Sequence, residues 1–343
     1  MIQTTTPSPH QAARFSVAPM MAWTDRHCRA LHRQLSRHAL LYTEMVTAAA
    51  LVHGDRAVLL RHDGAEHPVA VQLGGADPAM LRDATQHCVD AGFCEVNLNV
   101  GCPSDRVQSG AFGAVLMKTP ALVARCVNAM QSVTGADITV KCRIGVDDQD
   151  PAVVLPAFLA LMQAHGVRRI TVHARMAWLQ GLSPKENRDI PPLDYDLVLR
   201  MKDQFPDLHL TLNGGIADIS TAQALLARGV DGVMLGRAAY HTPDKTLRFV
   251  DRDIFGQAGA PPSTWDVVQN MRPHIAQHLD TGGRLHDITR HMLGLFAGQK
   301  GAKYWRRGLS TLGAQKQATL DDFDSFLETC HGFANVQGEV AAE

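Results

Sequence analysis

Short apolar, β-branched runs alternate with longer stretches of helical period from the N-terminal region to about residue 250. The runs read as strands are Ser16–Met20, Leu40–Met45, Val69–Gly74, Glu95–Val100, Ile138–Ile144, Arg169–Ala174, Leu210–Asn213 and Gly232–Leu235. Helical patterns lie between them at Arg26–Leu35, Thr47–His53, Pro78–Ala91, Ala121–Thr134, Val153–His165, Tyr195–Phe205 and Thr221–Ala227. The punctuation agrees. Asp77-Pro78 reads as an N-cap followed by proline at the first helical position, and Gly92, Gly135, Gly166 and Gly229 each close a helix before the next strand. The strands are almost continuously apolar, as parallel strands covered on both faces must be.

Eight such units predict an α/β chain folded as a (β/α)8 TIM barrel. A doubly wound open sheet is the alternative, but Ala18-Pro19-Met20 stands after the first strand where a G-x-G-x-x-G turn would be needed. Beyond Phe249 the alternation stops. Gly256–Pro262 reads as a linker, and helical patterns resume at Trp265–Leu279, Leu285–Phe296, Lys303–Leu309 and Leu320–Cys330. The expected organisation is a flexible N-terminus over 1–13, a barrel over 14–250, a linker over 251–263, a small all-helical C-terminal domain over 264–335 and a flexible tail over 336–343. One connection breaks the rhythm: Arg175–Leu193, rich in charge and proline, is long for a barrel loop and predicts substrate contact.

Composition narrows the classes. With 45% hydrophobic residues in 343, a large core is expected rather than disorder. No apolar run reaches the roughly 18 residues of a membrane span, and the polar N-terminus does not read as a secretory signal. Seven scattered cysteines without a C-x-x-C pair predict reduced thiols in the cytoplasm, with no disulfide framework and no metal site. Nothing implies an oligomer. A net charge of −1 excludes a strong, indiscriminate polyanion binder, yet Arg284, Arg290, Lys300, Lys303, Arg306 and Arg307 face only Asp287 between residues 281 and 310.

The chemistry concentrates at strand ends. Asn97-Leu98-Asn99-Val100-Gly101-Cys102-Pro103 carries one thiol past the carboxyl end of a buried strand, where barrels place their active residues. A lone cysteine is more often a small core residue, so its surroundings must decide. The seventh and eighth strands end in Asn213-Gly214-Gly215 and Gly236-Arg237, the usual position of a barrel phosphate site. Gln72, Lys141 and His173 sit near the ends of three other strands and are costly to bury without partners. A phosphate site with inward amide, ammonium and imidazole suits FMN, with the positive Lys141 near the flavin ring. Cys102 is then the candidate acid, provided that it stays protonated, which argues against a helix start at that position.

In order and spacing, Ala18-Pro19-Met20, Glu44-Met45, Gln72-Leu73-Gly74, Asn97 to Pro103, Lys141-Cys142-Arg143, His173-Ala174-Arg175, Asn213-Gly214-Gly215 and Gly236-Arg237 resemble the tRNA-dihydrouridine synthases. The Ala177–Arg188 loop and the stretch from His291 through Arg307 resemble the A-type subfamily, which acts in the D-loop at U20 and U20a. The resemblance implies FMN-dependent reduction of the uridine C5=C6 bond in tRNA, with hydride to C6, a proton from Cys102 to C5, and NADPH (or NADH) as reductant. It assigns FMN contacts to Ala18, Pro19, Met20, Gln72, Lys141, His173, Asn213, Gly214, Gly215, Gly236 and Arg237. It assigns tRNA contacts to Asn99, Lys185, Arg188, Lys303 and Arg306. Independently, an enzyme that reaches C5 and C6 must take the base out of its stack. Two other expectations use the same residues: an FMN oxidoreductase of a small free substrate such as a pyrimidine, and an RNA-binding barrel without catalysis.

Overall fold

The computed structural model describes residues 8–104 and 112–339, with side chains as far as 331. All eight expected strands are present: β1 Phe15–Val17, β2 Leu41–Thr47, β3 Val69–Gly74, β4 Glu95–Val100, β5 Asp137–Arg143, β6 Arg169–His173, β7 His209–Asn213 and β8 Gly232–Leu235. They pair in parallel in the order β1-β8-β7-β6-β5-β4-β3-β2. The Ser16–Leu40 bridge closes the cylinder, with Val17 N–H donating to Leu40 O at 2.9 Å and Leu40 N–H to Phe15 O at 3.0 Å. β1 ends at Val17 rather than Met20; Pro19 has no N–H to give a ladder.

Alternation along the strands sends every second side chain inward. On the β8-β1-β2-β3 side the interior is a small apolar cluster that includes Ala18, Leu40, Tyr42, Ala70 and Met234. Across from it the inward positions are polar, from Gln72 on β3 to Asn213 on β7. Helices wrap the outside, and one continuous apolar core runs from Phe15 to Cys330, joining barrel and C-terminal helices.

Three boundaries depart from the sequence expectation. Pro9–Ala12 is a helical turn with a Ser8–Gln11 capping box, and Ala12 and Ala13 are buried, so the flexible terminus does not extend through residue 13. The Pro9 carbonyl accepts from Arg169 at 3.2 Å, tying this turn to the barrel interior. The helix expected over Trp265–Leu279 is two, Thr264–Asn270 and Arg272–Asp280, because Pro273 cannot continue a helix from the preceding turn. The last helix runs through Glu339, past the expected start of the tail at 336; residues 1–7 and 340–343 of the expected flexible ends lie outside the described residues. Of the linker, Val250–Asp253 is helical, and the Asp251 carboxylate accepts from Ser36 Oγ at 2.5 Å and from Arg37 N–H at 2.8 Å.

The C-terminal helices are held by aromatic packing and by one charged clamp. Trp305 is buried against Trp265, Phe296 and Phe326 and donates from Nε1 to Met292 O at 2.9 Å. Asp25 caps the helix Arg26–Leu35 and also pairs with Arg290 and His291 of the C-terminal helices. Burial pushes its carboxyl up, but the His291 contact, the Cys28 N–H and the Arg290 charge outweigh that and hold it well below the carboxylate range. A depressed folded value means this stability is full above the ordinary 3.8 and is lost as the pH falls further. Asp25→Ala is expected to cost about 2–4 kcal/mol through the lost cap and the stranded Arg290. Urea unfolding at neutral pH checks this, and an unchanged midpoint would remove the clamp.

Candidate functional site

A cavity of about 590 Å³ opens at the carboxyl ends of the strands. Each connection contributes by a different local device. Behind β7, Gly214 and Gly215 take φ of +114° and +68°, and a Cβ on Gly214 would lie 2.6 Å from His173 Cδ2. Only glycine makes this turn, and Tyr195 OH locks it by donating to Gly214 O at 2.5 Å. In β2 a register shift between Tyr42 and Met45 brings Met45 to the cavity wall.

The turn after β4 is built by Asn99, whose Oδ1 accepts from Gly101 N–H at 3.1 Å and Cys102 N–H at 3.0 Å. Residues 101–104 are outside any helix, and Cys102 Sγ is partly exposed to the cavity, 3.4 Å from Ser104 Oγ. Arg143, at the end of β5, is 3% exposed and pins this turn to the long loop after β6. Its Nε donates to Gly101 O at 3.2 Å, and its Nη1 to Asn187 O at 2.9 Å and Met176 O at 3.2 Å. The loop in turn wraps the buried Asn187, which accepts from Trp178 N–H at 2.7 Å and donates to Leu182 O at 3.1 Å.

The electrostatics are one-sided. Lys141, Arg143, Arg188 and Arg237 line the cavity, and among the described residues no carboxylate does. Lys141 donates to Asn213 Oδ1 at 3.0 Å; burial pushes its ammonium down to about 8, with the Arg143 charge adding to it. Burial, then the Arg143 and Lys141 charges, push His173 well below the usual imidazole range, so it is neutral at pH 7. Burial lowers Arg143 to about 10, which leaves it charged. Arg237 makes a two-point ion pair with Asp189 at the rim, at 2.6 and 3.2 Å.

All eleven positions expected for the cofactor line this cavity: Ala18, Pro19, Met20, Gln72, Lys141, His173, Asn213, Gly214, Gly215, Gly236 and Arg237. Cys102, Asn99 and Arg188 line it too, whereas Lys185 does not and is exposed on the loop beside Pro184. Lys303 and Arg306 lie elsewhere, on the exposed face of the helix Ala302–Ala314 together with Arg307. Arg306 borders a second cavity with Trp23 and Tyr240, whose rings stack at 4.6 Å. Of the basic stretch, Arg290 is bound to Asp25. Sequence reasoning gave no role to Arg143, Trp23 or Met45. Arg143 lies in the Lys141-Cys142-Arg143 motif, and an arginine at the end of an apolar strand is the signal that points to it.

The family model described as dihydrouridine synthase matches residues 16–331. The chain belongs to the dihydrouridine synthase family. It is 50% identical over 327 residues to the tRNA-dihydrouridine(20/20a) synthase of Pseudomonas putida, covering 95% of this chain and 97% of that one. It is 53% identical to the Synechocystis protein of the same name, over 86% and 88% of the two chains. The Escherichia coli protein of that name is 52% identical, over 88% of this chain and 87% of its own. The family match spans both the barrel and the C-terminal helices.

Proposed function

We propose that this chain is a tRNA-dihydrouridine(20/20a) synthase that reduces the C5=C6 bond of uridines in the D-loop of tRNA. The observation that carries this is the cavity itself: the Cys102 thiol opens into a space lined by Lys141, Arg143, Arg188 and Arg237, with no carboxylate lining it among the described residues. Such a lining fits a phosphate-bearing group and the base of a polyanionic substrate, and repels neither. Names shared by relatives at about half identity over nearly the whole chain support the same substrate.

FMN fits this lining, and when bound it would supply the hydride, with NADPH as the reductant. Arg237 and the Gly214-Gly215 and Gly236 turns would hold its phosphate. Lys141 and Gln72 would face its ring. On the substrate side, Asn99 would hold the target uracil while Cys102 Sγ delivers a proton to C5. Arg188, at the cavity mouth, and Lys185 would receive the RNA backbone at the β6 loop. Lys303 and Arg306 would receive it on the helical side.

The exposed basic helix favours this over a small-molecule oxidoreductase, which has no use for it. The decisive assay is dihydrouridine formation in unmodified tRNA with NADPH and FMN. A flavin-loaded protein that neither reduces this tRNA nor shifts it in a gel at low salt refutes the proposal. A protein that takes up no flavin would favour a non-catalytic RNA-binding barrel. Lys303→Glu is expected to weaken tRNA affinity and lower the salt slope by about one, with NADPH oxidation little changed. Unchanged affinity removes Lys303 from the contact surface.

A further inference from the structure

Strand alternation turns Glu95, Asn97 and Asn99 of β4 to one face, the barrel interior, where they are 0%, 1% and 8% exposed. Barrel interiors are ordinarily filled by branched apolar residues. Here a single hydrogen-bonded row runs upward instead. At its foot the Glu95 carboxylate pairs with Arg169 and accepts from Tyr42 OH and Thr139 Oγ1, both at 2.9 Å. Thr139 has one proton to give, so its oxygen accepts from Asn97 Nδ2 at 2.9 Å. Asn97 Oδ1 then accepts from Gln72 Nε2 at 2.8 Å, and Gln72 Oε1 from Asn99 Nδ2 at 2.8 Å. Asn99 Oδ1 is left to accept from the Gly101 and Cys102 N–H groups.

The row has one direction. Its foot is a carboxylate, which only accepts, and its head is a pair of backbone N–H groups, which only donate. Three amides stand between them, and reversing any one sets donor against donor in a buried space. Neither Asn97 nor Thr139 lines the cavity, so any effect they have on chemistry passes through Gln72, Asn99 and the turn.

We propose that Thr139 and Asn97 are positioning residues: anchored on Glu95, they hold Asn99 with its carbonyl oxygen on the Cys102 turn and so fix where the Cys102 thiol is presented. The consequence for uridine reduction rests on the function proposed above; the effect on the thiol does not. Thr139→Val keeps the shape and removes the hydroxyl, leaving Asn97 free to turn over. Iodoacetamide labelling of the purified full-length protein, followed peptide by peptide, reads the result. Cys94 is exposed and serves as the internal reference, while five of the seven cysteines are buried.

In Thr139→Val the loosened turn is expected to raise Cys102 labelling relative to Cys94 by roughly threefold or more, and Thr139→Ser is expected to restore the parent rate. Asn97→Ser, too short to span Thr139 and Gln72, is expected to match Thr139→Val and replaces it if that variant does not fold. Labelling of Cys102 unchanged in whichever of the two variants folds overturns the row as a positioning device. With tRNA, kcat for dihydrouridine formation is expected to fall in Thr139→Val and to recover in Thr139→Ser. Raised labelling with normal dihydrouridine formation keeps the row and counts against the role proposed for Cys102.

Discussion

Cys102→Ala is expected to abolish dihydrouridine formation while flavin and tRNA binding persist. Loss of a positioned general acid costs about 10²–10⁴ in rate, enough to leave no product on the time scale of the parent enzyme. The substitution is clean. Alanine keeps the backbone N–H that donates to Asn99 Oδ1, and the Arg143 bond to Gly101 O does not involve the side chain. Among the described residues the hydrogen bond lost is that between Sγ and Ser104, along with the small apolar contact of Sγ with the core. His173 shares the cavity, but burial and the Arg143 and Lys141 charges keep it neutral, so it is no substitute acid at pH 7. Product is measured as dihydrouridine in unmodified tRNA, and flavin content by absorbance. Full turnover by the alanine variant would place the acid elsewhere, with Lys141 next to be tested.

Lys141→Met is expected to weaken FMN binding by about 1.5–3 kcal/mol, the worth of a hydrogen bond from a charged group, or roughly tenfold to over a hundredfold. The same charge gives a pH signature. Burial lowers Lys141 to about 8, so FMN affinity should fall as the pH rises through that value. Stability of the cofactor-free protein should move the other way. Because the folded value lies below the ordinary 10.5, the unfolded chain binds the extra proton between about 8 and 10.5, and folding gains stability across that window. Lys141→Met should remove both trends. Affinity that is flat through the window in the parent, or unchanged in the variant, would take Lys141 out of the cofactor site.

Much of the site is legible in the sequence. Strand residues Gln72, Lys141 and His173 stand out because polar groups inside apolar parallel strands need a reason, and all three meet in one cavity with Asn213 of the glycine turn. The glycine turns are legible because Gly214-Gly215 and Gly236 follow two adjacent strands, and the Gly214 conformation, which excludes a Cβ, gives the physical reason. Arg143 was not given a role. Its importance lies in three carbonyls from the β4 turn and the β6 loop, segments separated by tens of residues. The basic stretch after residue 281 read as one patch, yet Arg290 is spent on Asp25, and only the fold could distinguish it from Lys303 and Arg306.

Sequence alone determined the eight-unit barrel, the helical addition, the family resemblance and many, though not all, of the residues around the cavity. Periodicity, caps and glycine turns are local physics, written within a few residues of where they act. Tertiary structure alone decided which cations are committed to structure, how the long loop is pinned, and the direction of the polar row beneath Cys102. The row depends on which side chain faces which across neighbouring strands, and on a carboxylate at one end and N–H groups at the other. No local pattern encodes that, because each amide can face either way until its partners are in place.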